Sequence, residues 1–234
     1  GQLFPDVPTD SWRRYADFND PYGKLIVNFG AWAIISQDRV ILVDPGLPEA
    51  ALVARLGERA NLRPSDITDV FLTSFRPDVR RGVTAFENAE WWIHADEREQ
   101  VGAALAQRLK DLARVDEDQD ENDELSLKRA LLEDVSILQR CKSAPDSLVE
   151  HVDLFPLPGV TPGMCGLLIS TARYTTVICG DAVATVEHLE QGKVLHGAND
   201  IEKARESFKE AIEIADFLVL GRDNIVPNPT RSPL

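Results

Sequence analysis

The chain has 234 residues, 44% of them hydrophobic, which is enough to bury a good core in one domain spanning 1–234. Its formal net charge of -14 argues against nucleic acid and against an anionic membrane surface as partners, since both would repel it. No apolar run approaches the roughly 20 residues needed to cross a bilayer, and no secretion signal is visible from Gly1 onward. The three cysteines, Cys141, Cys165 and Cys179, are widely spaced and form no CxxC or Cys–His cluster, so they read as reduced core thiols in a cytoplasmic setting.

Residues 1–22, with Pro5, Pro8 and Pro21, read as an arm on the surface. Short apolar runs at Lys24 to Phe29, Ala31 to Ser36 and Arg39 to Val43 read as consecutive strands. Asp44-Pro45-Gly46 ends the third, and Pro48 to Asn61 then carries Ala51, Leu52 and Leu56 at helical spacing. Val70 to Thr73 and Ala89 to Ile93 are the next strands, and Trp91 and Trp92 must face opposite sides of the latter. Asp96 to Val115 and Leu125 to Cys141 read as helices, the second with Leu127, Leu131, Val135 and Leu138 on one face. They form a helical insertion at about 96–148, a candidate lid or dimer contact to which the Trp91-Trp92 pair would add apolar surface.

Between the two helices, residues 115–124 carry seven acidic side chains and read as a solvated loop. Asp116, Asp118 and Asp120 alternate as in a calcium loop, but the position where an EF-hand needs glycine holds Glu121. In the second half, Val149 to Leu157, Met164 to Ser170 and Thr175 to Cys179 read as strands, Asp200 to Ala215 as an amphipathic helix and Asp216 to Leu220 as a last strand. Strands followed by helices in each half predict two packed sheets with helices outside.

Five segments carry the rest of the information: Leu42-Val43-Asp44-Pro45-Gly46; Thr73-Ser74-Phe75-Arg76-Pro77-Asp78-Val79-Arg80-Arg81-Gly82; Leu157-Pro158-Gly159-Val160-Thr161-Pro162-Gly163; Cys179-Gly180-Asp181-Ala182; and Leu220-Gly221-Arg222-Asp223-Asn224. In order and spacing they resemble the V-D-x-G, T-H-x-H-x-D-H-x-x-G, P-G-H-T-P-G, G-D-A and P-G-H motifs of the metallo-β-lactamase superfamily. The resemblance implies an α+β fold, a four-layer αβ/βα sandwich. It also implies a metallohydrolase site with zinc at its centre. Of the seven positions it marks as ligands, only Asp78 and Asp181 keep a carboxylate; Ser74, Arg76, Val79, Val160 and Arg222 stand where histidine is expected.

Zinc sites of this kind need imidazoles and carboxylates around an open position whose water is activated by the metal. Two carboxylates do not hold zinc tightly, so no cofactor is expected. His94, His151, His188 and His196 lie outside the motifs and read as surface or structural residues. Arg76 and Arg222 place permanent positive charge where metal cations would sit, and bidentate pairing with Asp78 and Asp181 is expected in place of zinc. Solvent-facing arginines are the plainer alternative, and Asp78 has a second reading as the N-cap of a following helix. Val79 and Val160 would give the cleft an apolar floor. Asp44 is expected to order loop backbone from behind the site. Ser74 offers a hydroxyl without a neighbouring base, and Cys179 reads as a core thiol.

The expected function is therefore that of a non-catalytic, pseudo-hydrolase member, a small-ligand-binding or protein-interaction module. Its former active-site cleft is Asp44, Ser74, Arg76, Asp78, Val79, Val160, Asp181 and Arg222. Arg76, Arg222, Arg80 and Arg81 make a small anion the expected ligand, with a homodimer or protein partner as the other class. The alternative is a hydrolase with an atypical metal centre or none, favoured by the retained Asp44, Asp78 and Asp181.

Overall fold

Side chains alternate along strands, and here both faces of the central strands are apolar. In β2 (Arg39–Val43), Ile41 and Val43 oppose Leu42; in β3 (Asp69–Leu72), Phe71 opposes Val70 and Leu72; in β4 (Glu90–Ile93), Trp92 opposes Trp91 and Ile93. Such strands require cover on both faces. The computed structural model describes residues 32–36, 39–113 and 121–231, and it supplies that cover as a four-layer αβ/βα sandwich.

The first sheet runs β1 (Trp32–Ser36), β2, β3, β4, β5 (Lys142–Ser143), with β1 antiparallel to β2 and the others parallel. The second has the order β11-β10-β9-β8-β7-β6, built from β6 (Ser147–Val149), β7 (Val152–Pro156), β8 (Cys165–Ser170), β9 (Thr175–Ile178), β10 (Phe217–Val219) and β11 (Ile225–Pro227). Among the described residues, only β9 and β10 pair in parallel there. Ile41, Val43, Phe71, Cys165, Leu167, Ile178 and Val219 fill the space between the sheets.

Helices close the outer faces. Leu52 and Leu56 of α1 (Glu49–Ala60), Leu105 of α2 (Ala95–Leu112) and Leu131, Ile137 and Leu138 of α3 (Glu121–Arg140) pack on the first sheet. Leu189 of α4 (Val186–Gln191) and Ala204, Phe208 and Ala211 of α5 (Ile201–Ile214) pack on the second. No helix among the described residues is long and apolar enough to cross a membrane.

The structure departs from the sequence-based expectations at several points. The run from Val149 to Leu157 is not one strand: His151 adopts φ 67° and turns the chain, so β6 and β7 form a hairpin. The helical insertion ends at Arg140, because residues 142–149 already supply β5 to one sheet and β6 to the other. The six-residue α4 and three-residue β11 are too short to show a period. Trp91 and Trp92 do face opposite sides, but both are packed, Trp91 under the helices and Trp92 between the sheets, so they offer no exposed contact. The expected strand at Lys24 to Phe29 and the acidic run Asp116 to Asp120 lie outside the described residues.

Candidate functional site

The candidate residues come together because each sits on a loop leaving a strand. Asp44 follows β2, Ser74 to Val79 follow β3, Val160 follows β7, Asp181 lies in a 3-10 turn (Gly180–Val183) after β9, and Arg222 follows β10. Thr73 knits these loops together. Its amide and hydroxyl donate to the two Asp44 carboxylate oxygens at 2.8 and 2.7 Å, and its carbonyl accepts from the Cys165 amide at 3.0 Å. Gly180 presses against it at φ 50°, where an added Cβ would lie 2.8 Å from the Thr73 hydroxyl; only glycine tolerates both the angle and the approach.

Arg222 lies at the centre. Its Nε and Nη2 donate to the two oxygens of Asp181 at 2.7 and 2.6 Å, a bidentate pair, and its Nη1 is 2.7 Å from Asp78 Oδ2. Arg76 Nε lies 3.4 Å from Asp78 Oδ1 and 3.6 Å from Asp181 Oδ2. The Arg222 and Asp181 side chains are only 1% and 2% exposed, so this is a buried ion pair, while Arg76 and Asp78 reach the surface. Two guanidinium groups balance two carboxylates.

Burial opposes ionisation of Asp181, but the charge and hydrogen bonds of Arg222, aided by Arg76 and His188, outweigh it and hold the carboxyl below its ordinary range. Burial likewise opposes the charge on Arg222, and Asp181 and Asp78 more than offset it, so its pKa stands above the ordinary arginine value. Asp44 behaves in the opposite way. Desolvation at this half-buried position pushes it up to about 7, against the hydrogen bonds from Thr73, with Asp181 adding repulsion and Arg222 relief.

Asp78 is not a helix cap; its carboxylate is used by the two arginines, and the next helical turn, Val83–Phe86, begins at Gly82. Val79 and Val160 form no common floor. Val79 is buried in the cluster under α1–α3, and Val160 in the one under α4 and α5. Arg80 does not face the cleft either. It bonds Asp134 of α3 and the Phe75 carbonyl, and stacks 4.3 Å over the Phe75 ring, while Arg81 is exposed. The Ser74 hydroxyl is buried with no hydrogen-bond partner among the described residues. Burial pushes the Cys179 thiol up, as it does those of Cys141 and Cys165.

Two residues of this region carry no sequence signal. Glu97, in the first turn of α2 and fully buried, accepts from the Phe75 amide at 2.9 Å, the Thr161 hydroxyl at 2.8 Å and the Gly163 amide at 3.0 Å. It ties the loop after β3, 22 residues before it, to the loop after β7, 64 residues beyond it, a separation that no local pattern reveals. His188 lies in a polar stretch yet is 1% exposed, its Nδ1 2.9 Å from the Thr185 hydroxyl.

Both candidate carboxylates are bound to guanidinium groups, and among the described residues no three His, Cys, Asp or Glu side chains converge on a common point.

No protein-family model matches the chain, and no curated protein matches its sequence. Solved structures do match its fold. AidC, a dizinc quorum-quenching lactonase in complex with a product, superposes with a TM-score of 0.65 at 20% identity, over 86% of this chain and 75% of that one. A metallo-β-lactamase-like protein from Thermotoga maritima gives 0.59 at 19% identity, over 83% and 86%. The hydrolase AbOPH of the β-lactamase superfamily gives 0.58 at 18% identity, over 99% and 90%. With two sheets back to back, helices on both outer faces and the strand-end loops gathered around Asp44, Asp181 and Arg222, the chain has the metallo-β-lactamase fold.

Proposed function

We propose that this protein is a non-catalytic, pseudo-hydrolase form of the fold, acting in a cytoplasmic setting as a ligand-binding or protein-interaction module. The observation that carries the reading is the position of Arg222, whose guanidinium bridges Asp181 and Asp78 and draws Arg76 into a charge-balanced set. A hydrolytic centre needs an activated water or nucleophile and a base to take its proton. Here the carboxylates are occupied as counter-ions, and the Ser74 hydroxyl has no hydrogen-bond partner, hence no base, among the described residues. Charge balance also leaves the cluster little attraction for a further anion at Arg222.

The test is metal content and turnover together. After incubation with zinc, manganese and iron and then desalting, elemental mass spectrometry is expected to find less than about 0.1 mole of metal per mole, since zinc held by a true site survives such washing. Lactone, phosphoester and β-lactam substrates are expected to hydrolyse no faster than in buffer. Near-stoichiometric metal, or turnover that follows added metal, overturns the proposal and puts the hydrolase reading first.

A further inference from the structure

A cavity of about 220 Å³ opens beside the charge cluster, between the loop 75–77, α2 and the loop 161–162. Phe75, Val101 and Leu105 give it an apolar wall. The charges around it are nearly all spent. Arg80 is paired with Asp134, and Arg76 shares Asp78 and Asp181 with Arg222. Glu97 has both oxygens filled by the donors of Phe75, Thr161 and Gly163. Arg108 is different: it lines the cavity from the exposed side of α2 and has no ion-pair partner among the described residues.

We infer that this cavity binds a small amphipathic monocarboxylate, an alkanoate or arylalkanoate. Its chain lies against Phe75, Val101 and Leu105, and its carboxylate meets the Arg108 guanidinium. The apolar wall rewards a hydrophobic body, and a planar guanidinium matches a carboxylate through two parallel hydrogen bonds. One unbalanced cation matches one negative charge. A phosphate dianion would meet the same single cation, no tail-binding energy, and repulsion from Glu97 and Asp134. The volume lies below the roughly 300–1,000 Å³ of sites for drug-sized ligands, which sets the scale of the acid.

This inference deepens the ligand-binding part of the proposed function and rests on it; its test reads binding alone. Octanoate is titrated into the intact protein by calorimetry and ligand-observed NMR, beside 1-octanol and inorganic phosphate. Saturable octanoate binding is expected, with octanol weaker by about tenfold or more, as for loss of a charge-assisted pair, and phosphate not bound. Arg108→Gln is expected to weaken octanoate by a similar factor. Ala104→Trp, at an exposed position lining the cavity, is expected to abolish binding. Both variants change surface positions and should melt like the parent. Absence of saturation by about 10 mM, equal affinity in the parent and Arg108→Gln, or phosphate binding as tight as octanoate, overturns the inference. Failure to bind octanoate leaves the non-catalytic reading standing, whereas metal-dependent turnover overturns that reading and leaves octanoate binding intact.

Discussion

Replacing Arg222 by methionine keeps most of the side-chain volume and removes the charge at the centre of the cluster. Asp181 is then left 2% exposed, with Arg76 at 3.6 Å as its remaining cation, and Asp78 keeps a contact at 3.4 Å. Removing one member of a buried pair costs about 3–5 kcal/mol, chiefly because the other charge stays buried without its partner. For a domain of this size that is a fall of roughly 6–20 °C in melting temperature. The loss should also depend on pH. In the parent, the Asp181 carboxyl is held below its ordinary range, so its stabilisation is present above the unfolded pKa and is lost as pH falls through the folded one. In Arg222→Met burial acts without its main counterweight and raises that carboxyl, so the deficit grows as pH rises from about 4 toward 8. Urea unfolding at pH 5 and pH 8 measures this. Asp181→Asn should rescue much of the loss in the double variant, with a coupling of about 1.5 kcal/mol or more. A loss under about 1 kcal/mol, or single effects that add within about 0.5 kcal/mol, would refute the assignment of Arg222 as the counter-ion of Asp181.

Two further predictions concern the loops around the cluster. Asp44, pushed up to about 7, binds its proton more tightly folded than unfolded, so its contribution to stability declines as pH rises from about 4 to about 7. The span corresponds to an upper limit of about 4 kcal/mol, and Asp44→Asn should flatten the pH–stability curve in that window; an unchanged slope removes Asp44 as its source. Gly163→Ala should cost about 3 kcal/mol or more, because its Cβ would lie 2.0 Å from the Glu97 amide nitrogen and backbone would have to move. Gly192→Ala, at φ 63° with nothing within 4 Å of the new atom, should cost only about 1 kcal/mol. Equal effects in the two would show that the loops around Glu97 yield freely.

The sequence determined the periods and the punctuation. Two-faced apolar runs such as Val70 to Leu72 demand a strand covered on both sides, and Leu52 with Leu56 demands a helix against one of those faces. Five motif segments in order carried the fold and the positions of Asp44, Asp78, Asp181 and Arg222. Short elements escaped it, because α4 and β11 are held by tertiary contacts rather than by a repeating pattern. Tertiary structure alone decided which groups share charge. A residue number cannot show that Arg222 meets Asp181 and Asp78 while Arg80, only two positions beyond Asp78, turns away to Asp134. It also decided that Val79 and Val160 belong to separate cores, and that Glu97 joins a loop 22 residues before it to one 64 residues beyond it. Side-chain direction depends on the turn each loop makes, and an ion pair depends on which elements the fold brings within about 4 Å, where Coulomb attraction and hydrogen bonding outweigh desolvation.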